Sequence, residues 1–156
     1  MEELNKEQPL SLDALDQKIL RELQLDAKKP LREIAARLKS TAVTVMKRIR
    51  RMEQQKVIKG YGVSIDYERL GYGISVIIEV RISKGMLFEL ERKIAKSPHV
   101  YAVYDTTGEF DATLLAKFTS TGQLDRFVKR IQKEDFVERT NTKLVLNTIK
   151  EGHIQL

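Results

Sequence analysis

The chain has 156 residues, of which 42% are hydrophobic and 32% charged, enough for one domain or two small ones with their own cores. It contains no cysteine, which excludes disulfide frameworks, thiol nucleophiles and cysteine-based metal sites. Its two histidines leave almost no material for Ser-His-Asp chemistry or a multi-histidine metal centre. We therefore expect no cofactor and no metal site. The net charge of +6 is compatible with a polyanionic partner.

The N-terminal stretch, MEELNKEQPLSLD, lacks the basic and apolar regions of a secretory signal. No stretch approaches the roughly 20 apolar residues of a membrane-spanning helix. We expect a soluble, cytoplasmic protein that has no membrane partner.

Helical periodicity predicts three helices in the N-terminal third of the chain. Asp13 is a potential N-cap for a first helix over about 13–25. Pro30 favours a second helix over about 30–38. Ser40 or Thr41 is a potential cap for a third helix over about 41–55. Beyond it, the alternating segment VIKGYGVSI predicts a short strand or hairpin.

The second half of the chain predicts a βαββαβ unit, because alternating aliphatic residues mark strands and helical spacing marks the segments between them. The predicted elements are, in order, a strand over about 74–82, a helix over about 86–96, strands over about 99–106 and 112–118, a helix over about 121–133 and a strand over about 138–149. Right-handed crossovers assemble this order into a four-stranded antiparallel sheet with both helices on one face. This is the ferredoxin-like arrangement.

These elements predict an α+β chain in three parts. The first is a helix-turn-helix domain with a short N-terminal arm (1–62), the second a linker (63–72), and the third a ferredoxin-like domain (73–156).

Strand periodicity also predicts apolar side chains on the sheet face that the helices leave open. The residues concerned are Ile77, Val103, Leu115 and Val145. A monomer is not expected to expose such a surface, so we predict that these residues form a dimer interface. The alternative is an error in the strand register.

Positive charge is concentrated between Lys28 and Lys59, where eleven basic residues stand against Glu33 and Glu53 alone. The segment before this window is acidic and the segment after it is nearly neutral. Such a concentration favours a nucleic-acid surface, and the alternative is a solvated helical surface.

Three helices, a short turn and a basic third helix fit the helix-turn-helix pattern, in which the third helix enters the major groove. Small or polar residues at its start permit close approach to base edges, and the cations that follow meet phosphates. We predict that the DNA-binding residues are Thr41, Ala42, Val43, Thr44, Lys47, Arg48, Arg50 and Arg51. We expect the four cations to dominate affinity, since the basic window holds almost nothing to neutralise them.

Several of these residues have a structural alternative. Thr41 is more simply a helix N-cap, Val43 could pack against the second helix, and Arg50 and Arg51 could be a solvated pair.

The chain resembles the Lrp/AsnC, or feast/famine, transcription regulators from Leu12 onward. LDALDQKILRELQLDAKKPLREIAARL and the basic helix that ends in VIKGY are similar to the N-terminal domain of that family. The TGEFD turn at 107–111, within the βαββαβ unit, is similar to its effector-binding domain. The resemblance implies a winged helix-turn-helix, a C-terminal domain that dimerises and often forms octamers, and amino-acid sensing between dimers.

The sequence departs from the family pattern at two places, the turn before the third helix and the end of that helix. Lys39-Ser40-Thr41 stands where Gly-Leu-Ser is common, and Lys56 stands where glycine is frequent. Left-handed backbone at a lysine costs more than at a glycine but is tolerated.

The resemblance places the effector residues in the turn and on the facing last strand. They are Thr107, Gly108, Glu109, Asp111, Thr140 and Thr142. Backbone amides around a glycine hold carboxylates, and Asp111 would accept from an ammonium group. The alternative is a tight turn in which Gly108 supplies its dihedral angles and Asp111 bonds its own backbone.

The sequence thus predicts a sequence-specific transcription regulator and not an enzyme. Its expected partners are double-stranded DNA, a free amino acid and further copies of itself, as a homodimer or a higher assembly such as an octamer on a prokaryotic nucleoid. The alternative is a ferredoxin-like amino-acid-sensing or RNA-binding module with no operator-specific role, although the RNA-recognition sequence K/R-G-F/Y-G/A-F-V-x-F/Y is absent.

Overall fold

The computed structural model describes residues 11–83, 85–152, 154 and 156. Residues 1–10, where the predicted short N-terminal arm begins, lie outside them. The elements of this part are α1 (Ala14–Leu25), α2 (Leu31–Arg37), α3 (Ala42–Gln54), β1 (Ile74–Ile82), α4 (Leu87–Lys93), β2 (Val100–Asp105), β3 (Ala112–Phe118), α5 (Thr121–Gln132) and β4 (Val137–Leu144).

The described residues form two compact units. One ends at Ser64 and includes the residues from Glu151 onward, and the other spans Ile65–Lys150. The C-terminal tail therefore groups with the first unit rather than with the second, to which the sequence analysis assigned it. None of the helices in the described ranges is long and apolar enough to cross a membrane.

The three predicted N-terminal helices are confirmed, and a capping box begins the first. The Asp13 carboxylate accepts from the backbone N–H groups of Leu15 and Asp16, both at 2.9 Å, while the Asp16 carboxylate accepts from the Asp13 N–H at 3.1 Å. The helices pack around a core of Ile19, Ile34, Ala35, Val45, Ile49 and Met52. This core leaves the remaining faces of α3 for other contacts.

Lysines in left-handed conformation end both α2 and α3. Lys39 has φ +50° and Lys56 has φ +55°. At the end of α3 the Lys56 N–H donates to the Glu53 carbonyl and the Val57 N–H donates to the Met52 carbonyl, which is the Schellman pattern. The backbone at both positions therefore follows the geometry that glycine ordinarily supplies.

The predicted strand or hairpin over VIKGYGVSI is wrong, because residues 57–65 form no strand. A two-stranded hairpin is marginal without a third strand or a covering helix. Here Val63 and Ile65 are exposed, so the segment buries too little to hold one. The described structure therefore shows no wing hairpin after α3.

The second unit is the predicted antiparallel sheet, with strand order β2-β3-β1-β4. Aliphatic residues of β1 and β3 alternate inward and meet Ile94 after α4 and Phe127 and Ile131 of α5. The opposite face of the sheet carries Ile77 opposite Leu115 at the centre. The face that the helices leave uncovered is called the open face below.

Val103 does not lie on the open face, which corrects the sequence prediction. The β2–β3 register shifts between Val100 and Ala102, and one extra residue in a strand reverses the facing of every residue beyond it. Val103 is therefore opposite Leu114 and packs against the buried core. The other three predicted residues keep their side, since Val145 donates its N–H to the Ser75 carbonyl at 2.9 Å beside Ile77.

The last strand is shorter than the predicted 138–149. β4 ends at Leu144, opposite Val76, near the start of its partner strand β1 at Ile74. A strand needs a neighbour for its backbone hydrogen bonds, and β1, which begins at Ile74, provides none beyond residue 146.

We expect Lys56→Gly to raise the free energy of unfolding by about 0.5–1 kcal/mol. The left-handed conformation costs an L-residue about 1–2 kcal/mol, and the greater freedom of glycine in the unfolded chain offsets part of that gain. Urea unfolding measures the change. The matched control Lys47→Gly, inside α3, should lower stability by about 1 kcal/mol; an equal loss in both variants would contradict the strain at Lys56.

Candidate nucleic-acid interface and ligand cavity

The start of α3 is fixed by a side-chain cap. The Thr41 hydroxyl accepts from the Thr44 N–H at 3.1 Å, and the two threonine hydroxyl oxygens lie 2.9 Å apart. Thr41 is thus the N-cap, and Ala42 packs partly against the core. Thr41 and Val43 are exposed at this end of the helix, and Thr44 is partly exposed.

Val43, Lys47 and Arg50 form one stripe along α3, because residues four and three positions apart share a helix face. Val43 is 57% exposed, so the alternative that it packs against α2 is wrong. Lys47 and Arg50 are exposed, and neither has an ion-pair partner within the described ranges. This exposed stripe combines one apolar contact residue with two unpaired cations.

Arg48 and Arg51 lie on the neighbouring stripe and are bound to two carboxylates of α1 and its cap. The Arg48 Nη1 donates to Asp16 Oδ1 at 3.2 Å and also to Asp13, and the Arg51 Nη2 donates to Asp16 Oδ2. Asp16 is completely buried. We call these two aspartates the acidic clamp.

The acidic clamp changes the electrostatics of α3. The hydrogen bond from the Arg48 guanidinium lowers the pKa of Asp13 from its usual 3.8 to about 2. Asp13 and Asp16 precede the basic window in the chain, and yet they neutralise two of its arginines. The expectation that nothing neutralises these cations is wrong for Arg48 and Arg51; the acidic segment before the window was the signal in the sequence.

A cavity of about 390 Å³ opens on the open face of the sheet. It is lined by Glu79, Thr106, Thr107, Glu109, Phe110, Thr113, Asn141 and Lys143. These residues come from strands β1, β3 and β4 and from the turn between β2 and β3.

Paired charges line this cavity. Glu79 accepts from Lys143 Nζ at 2.7 Å and from Asn141 Nδ2 at 2.8 Å, and the hydrogen bond from Lys143 lowers the pKa of Glu79. At the turn, Arg139 Nη1 donates to Glu109 at 3.0 Å. A cation and an anion side by side suit a ligand that carries both charges.

Two of the six predicted effector residues, Thr107 and Glu109, line the cavity. Gly108 lies between them with φ +119°, a backbone conformation that favours glycine. Asp111 accepts from the Ile82 N–H at 2.7 Å, so its carboxylate holds the end of β1 to the turn. The structural alternative, in which Asp111 bonds its own backbone, is therefore wrong in the partner that it names.

Thr140 and Thr142 lie on the opposite side of β4 from the cavity. Thr140 accepts from Gln132 of α5 at 2.8 Å, and Thr142 is opposite the buried Ile78. Asn141 and Lys143 face the cavity instead, because alternate residues of a strand point to opposite sides. The sequence analysis missed Asn141 and Lys143 because it did not determine the β1–β4 register, which sets Lys143 opposite Ile77.

No group of three or more metal-ligating side chains lies close enough to hold a metal ion in the portion that the structure describes.

Comparison with known proteins assigns both halves of the chain. The model of the AsnC-type helix-turn-helix domain matches residues 12–53, and the model of the Lrp/AsnC ligand binding domain matches residues 75–154. The chain belongs to the Lrp/AsnC family. It is 42% identical to an uncharacterized HTH-type transcriptional regulator of Pyrococcus furiosus, over 91% of this chain and 96% of that protein. It is 37% identical to an HTH-type transcriptional regulator of Pyrococcus horikoshii, over 90% and 93% respectively.

Solved structures of this Lrp/AsnC protein's relatives have the same architecture. A transcriptional regulator of Neisseria meningitidis in complex with L-Met superposes with a TM-score of 0.88 and 26% identity, over 94% of this chain and 96% of that one. E. coli AsnC superposes with a TM-score of 0.88 at 24% identity, over 94% and 100%. These structures confirm the predicted α+β fold, and the two family models together with the relatives named above confirm the function as a DNA-binding transcription regulator.

Proposed function

We propose that this regulator reads its DNA site with the exposed stripe of α3. Val43 supplies a methyl surface that suits a thymine methyl group, and Lys47 and Arg50 supply phosphate contacts. Thr44, partly exposed beside Val43, is the second candidate for a base contact. The observation that carries the proposal is the coincidence of an exposed apolar residue with two unpaired cations on one stripe. We also propose that this regulator acts on the nucleoid, in the cytoplasm of a prokaryotic cell.

Variants of the exposed stripe should separate base reading from phosphate binding. On a duplex selected from a random pool, Val43→Ala should weaken the free energy of binding by about 1–3 kcal/mol, and on arbitrary DNA by much less. Arg50→Gln should weaken binding to both duplexes and reduce the salt slope by about one per subunit. Fluorescence anisotropy over a salt series measures both effects. Equal losses for Val43→Ala on the two duplexes would remove it from base reading; binding to single-stranded RNA alone would favour the RNA-binding alternative.

We also propose that a free amino acid binds in the open-face cavity. The L-Met complex of the Neisseria meningitidis regulator and the paired charges of this cavity support the proposal. Lys143 would bind the α-carboxylate of the ligand, and Glu79 would accept from its ammonium group. Thr107 and Glu109 line the same cavity, while Gly108 and Asp111 shape the turn beside it.

An amino acid that binds here should change DNA affinity by about 5–150-fold, the usual range of allosteric coupling. Calorimetry with the twenty amino acids identifies the ligand, and anisotropy with and without it measures the coupling. Lys143→Gln should abolish the response because the carboxylate loses its cation, whereas Thr142→Ser, on the other side of β4, should retain it. No heat from any amino acid at millimolar concentration would contradict the proposal.

We further propose that Ile77, Leu115 and Val145 form the dimer interface on the open face. Ile77 and Leu115 are half-buried neighbours on β1 and β3, and association would remove their apolar surface from water. A two-fold dimer would bind a pseudo-palindromic site with half-sites about 34–36 Å apart or a multiple of that spacing. A higher assembly, such as an octamer, would add contacts between dimers.

The double variant Ile77→Lys/Leu115→Lys should be monomeric, because two buried cations would oppose the apolar contact. Light scattering measures its mass. The matched control Leu146→Lys, at a residue that is exposed outside the strands, should remain a dimer. A dimeric double variant would place the interface elsewhere.

A further inference from the structure

The cations of α3 fall into two classes. Lys47 and Arg50, on the exposed stripe, have no ion-pair partner within the described ranges, whereas Arg48 and Arg51 are held by the acidic clamp. Two guanidinium groups meet two carboxylates, so the clamped stripe adds no net charge. The electrostatic surface that α3 presents is therefore weaker than its sequence indicates.

The clamp carboxylates are fixed in place before any DNA arrives. Asp16 is completely buried, and its Oδ2 also accepts from the Asp13 N–H at 3.1 Å. Asp13 is fixed in turn, because its Oδ1 accepts from two backbone N–H groups of the first turn of α1. A carboxylate offers an arginine the same charge-assisted hydrogen bonds as a phosphate oxygen.

From this geometry we propose that Asp13 and Asp16 compete with DNA phosphates for Arg48 and Arg51 and so lower the affinity for DNA of arbitrary sequence. The inference rests on the proposed role of α3 in DNA binding. The two aspartates are positioning residues, since they act through the arginines and need not touch DNA. The family's regulators must leave arbitrary DNA in order to find their sites, and sequence-independent phosphate contacts oppose this.

The sharpest test uses Asp13→Asn and an arbitrary 30-bp duplex. Asparagine is as good an N-cap as aspartate, so the variant keeps the start of α1 while it removes one of the two carboxylates that hold Arg48. The other, Asp16 Oδ1, accepts from Arg48 at 3.2 Å. We expect binding about 3–10-fold tighter at 50 mM salt, and a salt slope steeper by about one per released arginine, because each new phosphate contact releases further counterions. A purely structural role of Asp13 would not steepen the salt slope.

Glu22→Gln is the matched control. Glu22 is another carboxylate of α1 that holds two cations, Lys29 at 2.5 Å and Arg37 at 3.0 Å, but neither cation lies on α3. The Glu22→Gln variant changes the net charge by the same amount as Asp13→Asn. Because it releases no cation of α3, it should raise the affinity for DNA much less. An equal rise in both variants would show an effect of net charge alone and would overturn the inference.

Arg48→Gln tests the inference without altering the clamp. It should leave the salt slope on the arbitrary duplex unchanged, because Arg48 makes no phosphate contact in the wild type, whereas Arg50→Gln should reduce that slope by about one. In the double variant Asp13→Asn/Arg48→Gln, the gain of Asp13→Asn should disappear. An equal fall in the salt slope for Arg48→Gln and Arg50→Gln, or no gain in affinity for folded Asp13→Asn, would overturn the inference.

These outcomes separate the inference from the function on which it rests. If Lys47→Gln and Arg50→Gln both bind DNA like the wild type, the proposed role of α3 fails. If those two variants lose affinity while Asp13→Asn binds like the wild type, only the competition fails.

Discussion

The buried carboxylate of Asp16 is the interaction on which the first unit depends. One side chain completes the capping box of α1 and binds two arginines of α3, so the first turn of one helix fixes the rotation of another. A buried ion pair that loses one partner costs about 3–5 kcal/mol, since an uncompensated charge remains. The exposed stripe of α3 thus owes its orientation to a residue that contacts no solvent.

In the second unit, the position of each side chain depends on strand register. β1 lies between β3 and β4, and its alternation sends Val76, Ile78 and Val80 into the core and Ile77 and Glu79 to the open face. The cavity and the apolar pair Ile77 and Leu115 therefore share one surface of the sheet. A shift of one residue along any of these strands would exchange core and cavity residues.

The sequence predicted the order of helices and strands well, because helical and alternating periodicity report local burial. Asp13 and Thr41 were recognisable as caps from their positions before apolar runs. The sites were harder to predict, since they depend on pairings between distant residues. The bulge beside Val100 moved Val103 into the core, and the β1–β4 register brought Lys143 rather than Thr142 to the cavity. Likewise, nothing local to α3 indicates that Arg48 and Arg51 meet acids more than 30 positions earlier in the chain.

Lys39 and Lys56, the two lysines with left-handed backbone, have a consequence for the entropy of recognition. Glycine at these positions would give the ends of α2 and α3 many alternative conformations, whereas a side chain removes most of them from the unfolded and frayed states. When these turns fray, a lysine therefore gains fewer conformations than a glycine would, although its folded turn is the more strained. Fewer frayed conformations leave the helix less entropy to lose when it settles into a groove.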